Sequence, residues 1–182
     1  GYREAEDTIR QLLTAAGQKN LPGGYVGDDH HGVEAASSND PTRSPETYVG
    51  YARAMNFAGG KVAHDDAWDY RAPNAYGTNQ WSLDGRWTVH DEYAALDRAS
   101  GSITYRFRGR DLHLVLGPGS DGKPVRFHVT IDGKPPGADH GMDTDADGNG
   151  TVDSQRLYQL VRQANGTGER LFEITFLDPG VR

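Results

Sequence analysis

The chain has 182 residues, a formal net charge of -7, no cysteine, 35% hydrophobic residues and a mean hydropathy of -0.74. These values exclude disulfides, thiolate catalysis and zinc–thiolate sites, and no run approaches the about 18 consecutive apolar residues of a membrane span. A net acidic chain without a basic stripe interleaved with aromatics is not built for nucleic acid, and its length suits one good-sized domain or a smaller one with an appendage.

No secretory leader precedes the first pattern. Residues 2–16, YREAEDTIRQLLTAA, place Tyr2, Ala5, Ile9, Leu12, Leu13 and Ala16 at helical spacing. Glu4, Glu6 and Asp7 lie near the positive end of the helix dipole, and Gly17 supplies a stop. No surface for this stripe follows at once, as if the chain were cut from a longer protein. Residues 18–45 are rich in Gly, Asp, Ser and Pro and show neither period, so they are expected to form a linker or irregular strap between two units.

From residue 46 the texture changes to short strands and turns. Ile103, Tyr105 and Phe107 alternate with Thr104, Arg106 and Arg108; Leu112, Leu114 and Leu116 follow the same rule. Val125, Phe127, Val129 and Ile131 alternate with Arg126, His128 and Thr130 before the hairpin signal Asp132-Gly133. Phe172, Ile174 and Phe176 form another apolar phase, closed by Asp178-Pro179-Gly180. The segment SQRLYQLVRQ fits a helix or a strand, and its neighbours favour a strand. Period two with turn chemistry between predicts an all-β antiparallel sandwich over residues 46–182.

Six phrases occur in order: SPETYVGYARAMNFAGG, NQWSLDGRWTV, RDLHLVLGP, DGKPPGADHGMDTDADGNGT, RLYQLVRQ and FEITFLDPGV. Together they resemble the C-terminal region of DipZ-type proteins, bacterial fusions of a CcdA-like membrane electron carrier, a thioredoxin-like domain and a carbohydrate-binding-module-like jelly roll. The resemblance implies that residues 1–17 are the closing helix of a truncated thioredoxin-like domain and that 46–182 form a jelly-roll type β-sandwich. It implies a non-catalytic accessory domain binding carbohydrate or another cell-envelope ligand, with the parent's thioredoxin-like domain as a partner and an extracytoplasmic location if the parent is membrane-tethered. The family's redox chemistry needs a CxxC pair, which this chain lacks. The family also continues past FLDPGV into a further aromatic strand, whereas this chain ends at Arg182. A structural or docking domain is the alternative, and a glycan-active enzyme a weaker one. Neither nucleic acid nor direct membrane contact is expected of this segment.

A sugar ring presents an apolar CH face to an aromatic ring and hydroxyls to polar groups. The candidate ligand-binding residues are Trp68, Tyr70, Tyr76, Asn79, Trp81 and Trp87, with Tyr93, Asn74 and Gln80 nearby. The other reading of Trp81 and Trp87 is the core of a strand pair. His113 and His128, on outward phases, have the chemistry to ligate zinc or copper, although a solvated polar face is the plainer reading. Asp28-Asp29-His30-His31 is at most an adventitious metal binder. Asp65-Asp66 and Asp91-Glu92 are sequence neighbours, which on a strand point to opposite faces and form no glycosidase dyad.

In DTDADGNGTVD, Asp143, Asp145 and Asp147 fill the first three ligand positions of a calcium loop, Gly148 the turn, and Asn149 and Thr151 the later ones. Ser154 stands where an EF-hand needs its bidentate glutamate, and no helix is readable before the loop, so an EF-hand is rejected. A simpler DxDxDG site for a structural calcium ion and a solvated acidic hairpin turn both remain, the turn being favoured. No other cofactor is expected.

Overall fold

The structure, a computed structural model, describes residues 2–24 and 41–182. It divides into two units, Gly1–Ala35 and Ala36–Arg182. In the first, helix α1 spans Tyr2–Ala15, one residue short of the expected span. Gly17 takes a φ of 86°, and the Gln18 N–H donates to the Leu13 carbonyl at 3.0 Å, a left-handed closing turn that glycine adopts without strain. Ile9, Leu12 and Leu13 are 56%, 65% and 41% exposed. Arg10 pairs with Glu6 one turn earlier at 2.8 Å and donates to the Pro22 carbonyl. The middle of the expected linker, including Asp28 to His31, lies outside the described residues.

The second unit is built from nine strands among the described residues: β1 (Ala67–Tyr70), β2 (Trp81–Val89), β3 (Ala94–Leu96), β4 (Gly101–Arg108), β5 (Asp111–Leu116), β6 (Val125–Ile131), β7 (Asn149–Val152), β8 (Arg156–Arg162) and β9 (Glu169–Phe176). All paired strands run antiparallel. One sheet has the order β1-β2-β4-β9-β6-β7 with β3 also on β2, and β5-β8 form the second. The ambiguous SQRLYQLVRQ is therefore a strand. The inward phases read from the sequence meet in one core, with Leu83, Phe127, Val129, Tyr158, Leu160, Ile174 and Phe176 all fully buried.

Strand β2 serves two ladders because it bends at Gly85. Its first half pairs with β4, Trp81 opposite Tyr105 through Asp84 opposite Ser102. Its second half lies between β1 and β3, with Trp87 opposite both Trp68 and Leu96. Gly85 has a φ of 93°, and a Cβ there would lie 2.9 Å from the Gly101 Cα, so neither the bend nor the approach admits a side chain easily.

Residues 44–66 are bound to the sheet. The Ser44 N–H donates to the Arg108 carbonyl, Ala58 to Trp81, Tyr51 to His90 and Asp65 to Val89. Phe57 packs edge-on against Trp81 at 4.7 Å. At the other terminus the Leu96 N–H donates to the Val181 carbonyl and the Gly180 N–H to the Leu96 carbonyl, Gly117 and Arg182 exchange two backbone hydrogen bonds, and Val181 is fully buried.

A jelly roll places eight strands in two sheets. Here the second sheet holds two strands among the described residues. Between β6 and β7 the chain instead makes a 3-10 turn at Gly137–Asp139 and a single bridge from His140 to Val161 of β8. Pro135 and Pro136 lack the N–H groups that a ladder requires there.

Candidate functional site

The outward phases of β2, β4, β9 and β6 form a polar floor. Opposed residues of antiparallel strands share a face, with Cβ atoms roughly 4.5–5.5 Å apart. One row runs Ser82, Thr104, Glu173, Thr130; the row beside it runs Asp84, Ser102, Thr175, His128. Because the same strands send Leu83, Ile103, Ile174 and Val129 inward, this polar lattice is held on a rigid backing.

The loop of residues 71–80 stands as a wall beside the floor, and four contacts fix it. The Ala72 N–H donates to the Asp84 carboxylate at 3.0 Å, and the Tyr76 hydroxyl bonds the Ser82 hydroxyl at 2.6 Å. Thr78 donates to Glu169 at 2.8 Å, while the Gly77 N–H is received by the Gln80 side chain at 2.7 Å. Arg106 closes one end of the floor by donating to Glu169 at 2.7 Å, and the Arg106 and Thr78 hydrogen bonds hold the Glu169 carboxyl below its ordinary range. Wall and floor enclose a groove of ≈ 710 Å³ lined by Tyr76, Asp84, Ser102, Thr104, Arg106 and Glu173 among others.

The groove's polar groups are open to a ligand. Ser102 and Thr104 are 6% and 5% exposed and their hydroxyls have no protein partner among the described residues. No buried side-chain nitrogen or oxygen there lacks a hydrogen bond, so both hydroxyl oxygens must reach the groove surface. The Glu173 carboxylate likewise has no hydrogen-bond or ion-pair partner among the described residues. The groove surface therefore presents hydroxyls, carboxylates, one guanidinium and one phenol ring, a mixture of hydrogen-bond donors and acceptors.

The family model for the thioredoxin-like C-terminal domain matches residues 44–182. The chain belongs to this family. It is also similar to two curated proteins named DipZ, from Mycobacterium bovis and Mycobacterium tuberculosis, each 26% identical over 135 residues, covering 71% of this chain and 19% of the relative. The chain thus spans about a fifth of the length of those relatives. The six phrases of the sequence reading fall within or at the start of the thioredoxin-like C-terminal domain so defined.

Of the six residues first nominated for ligand binding in this thioredoxin-like C-terminal domain, Tyr76 alone lines the groove. Tyr70, Trp81 and Trp87 are 3%, 1% and 1% exposed and belong to the core, out of a ligand's reach. For Trp81 and Trp87 this is the strand-pair core reading: Phe57 packs on the first and Phe176 on the second, and their indole N–H groups donate to the Met55 and Asp84 carbonyls. Asn79 stands outside the groove lining and supplies a left-handed turn, φ 66°, that hands its N–H to the Arg106 carbonyl. Trp68 is exposed, on β1, and is not part of the groove lining. Ser102, Thr104, Glu169 and Glu173, which line the groove, were not singled out from the sequence. Their outward phase was legible, but their neighbours across the sheet were not.

The metal candidates do not assemble. His113 is on β5 and His128 on β6, in different sheets, so they are not cross-strand neighbours. In the acidic loop, the Asp143 carboxylate pairs with Arg156 at 2.8 Å and accepts the Gln159 N–H at 2.7 Å. Asp145 accepts the Asn149 N–H at 2.7 Å, closing a turn, and that bond holds its carboxyl low. Asp147 points to solvent and Thr151 is paired in β7 with Arg126. No group of three or more potential ligands is present among the described residues, and a carboxylate already neutralised by a guanidinium does not fit a calcium site. The loop lies in the connection from β6 to β7, after the 3-10 turn.

Proposed function

We propose that this thioredoxin-like C-terminal domain is a non-catalytic accessory module that binds carbohydrate in the groove between the β2–β4–β9 part of the floor and the wall of residues 71–80. The observation that carries the reading is the unpartnered set Ser102, Thr104 and Glu173 on a rigid sheet, walled by an immobilised Tyr76 ring. Hydroxyls that receive no protein partner cost little where a sugar hydroxyl or water replaces it, and a phenol ring offers the apolar face a pyranose needs. The family supports an accessory role: the ligand-binding domain would accompany a thioredoxin-like domain in a longer parent, outside the cytoplasm if that parent is membrane-tethered. Titrating isotopically labelled protein with a panel of oligosaccharides should shift the amide resonances of Tyr76, Thr104, Arg106 and Glu173 together. A panel that moves none of them refutes the reading.

A docking role is favoured by one separate feature. Val115 and Leu157 face each other on the outer side of β5–β8 and are 61% and 42% exposed. Replacing both with threonine should leave sugar binding intact and abolish association with the parent's thioredoxin-like domain if that role is the correct one.

A further inference from the structure

The charges in the groove are unequal. Three carboxylates line it, Asp84, Glu169 and Glu173, against one guanidinium, Arg106. Arg106 is matched by Glu169 at 2.7 Å, so that pair adds little net field. Asp84 receives one backbone N–H, from Ala72 at 3.0 Å, and Glu173 receives nothing among the described residues. Glu173 stands in the middle of the floor, with Thr104 opposite it on one side and Thr130 on the other. A carboxylate is an acceptor with room for several donors, and the two threonines offer hydroxyls that both donate and accept.

We infer that Glu173, helped by Asp84, selects for sugars that carry a free amino group and against sugars that carry an acidic one. This rests on the carbohydrate reading of the groove and adds the class of sugar to it. A ligand ammonium would meet the acceptor that the floor leaves unsatisfied, while its hydroxyls bond Thr104 and Ser102. A uronate or phosphate in the same place would face two carboxylates and no unmatched cation. The least effect expected is the attraction of unit charges across roughly 4 Å at the dielectric constant of water, which is about a fivefold change in affinity. It is carried by an open groove, so salt at about 1 M, where the screening length falls to about 3 Å, should remove most of it.

The test is calorimetry with three oligomers of equal length: glucosamine, N-acetylglucosamine and galacturonic acid. The wild type should bind the glucosamine oligomer at least about fivefold more tightly than the acetylated one at low salt, and the uronate least. The ratio of the first two should fall towards one at high salt and in Glu173→Gln, and should narrow in Asp84→Asn, which carries the test if the first variant folds poorly. An acetylated oligomer bound as tightly as the amino one, a preferred uronate, or a ratio unchanged in both variants overturns the inference while leaving the carbohydrate reading standing. If none of the three oligomers binds, the carbohydrate reading falls and the selectivity falls with it.

Discussion

The bond between Tyr76 and Ser82 permits a sharp test, because its two partners sit in different surroundings. Ser82 is fully buried, whereas Tyr76 is half-buried at the groove edge, and their oxygens are 2.6 Å apart. Tyr76→Phe leaves the Ser82 hydroxyl buried with no partner, which costs about 1–3 kcal/mol. Ser82→Ala leaves a phenol that water can reach, so it should cost only the net value of the bond, about 0.5–1.5 kcal/mol. The double variant removes both polar groups and should be more stable than Tyr76→Phe alone, since no unsatisfied hydroxyl remains. Urea unfolding of the four proteins measures each term, and a difference of 1 kcal/mol corresponds to roughly 2–4 °C in melting temperature for a chain of this size. The wall should also loosen in both single variants, lowering affinity for any groove ligand. Strictly additive losses, or Ser82→Ala costing more than Tyr76→Phe, would refute the claim that this bond anchors the wall through a buried Ser82 hydroxyl.

Three further outcomes follow from the packing. Trp87→Ala should cost about 3–5 kcal/mol because it empties a fully buried site against Phe176, whereas Trp68→Ala should stay within about 0.5 kcal/mol, and urea titration separates them. Gly148→Ala should destabilise by at least about 1–2 kcal/mol, since φ is 92° and the new Cβ would lie 2.2 Å from the Val129 oxygen; differential scanning calorimetry checks it. The Arg126 guanidinium and backbone N–H lower the Asp178 carboxyl from 3.8 to about 2. A carboxyl held low stabilises the fold above its unfolded value, so this contribution should be full above pH 3.8 and vanish as pH falls through about 2. Arg126→Met should flatten that part of the melting temperature against pH curve, and an unchanged slope would show that the pair is uncoupled from folding.

The groove gains its rigidity from the division of each strand between two environments. Ile103, Ile174 and Val129 are locked in the core, so Thr104, Glu173 and Thr130 on the same strands cannot drift apart. The wall adds definition at its own expense of freedom, with Pro73 restricting one end and the Thr78–Glu169 bond the other. Weak exposed ion pairs such as Arg106 with Glu169 contribute orientation here more than stability.

The sequence by itself determined the strands and their faces. Alternation in residues 103–107, 125–131 and 172–176 separates inward from outward side chains because successive residues on a strand point to opposite sides. It also determined the helix and its stop at Gly17, since those signals lie within a few residues of one another. Tertiary structure alone decided which outward phases became neighbours. Backbone hydrogen bonds between strands are the same for any side chains, so nothing local in Thr104 names Glu173 as its partner; closure of the shared core does. Non-local packing likewise decided between the two readings of Trp81 and Trp87: Phe57 lies against the first and Phe176 against the second, though their own neighbours, Asn79, Asp84 and Arg86, read as surface. A further case is the acidic loop, where nothing local names Arg156 as the partner that Asp143 meets at 2.8 Å.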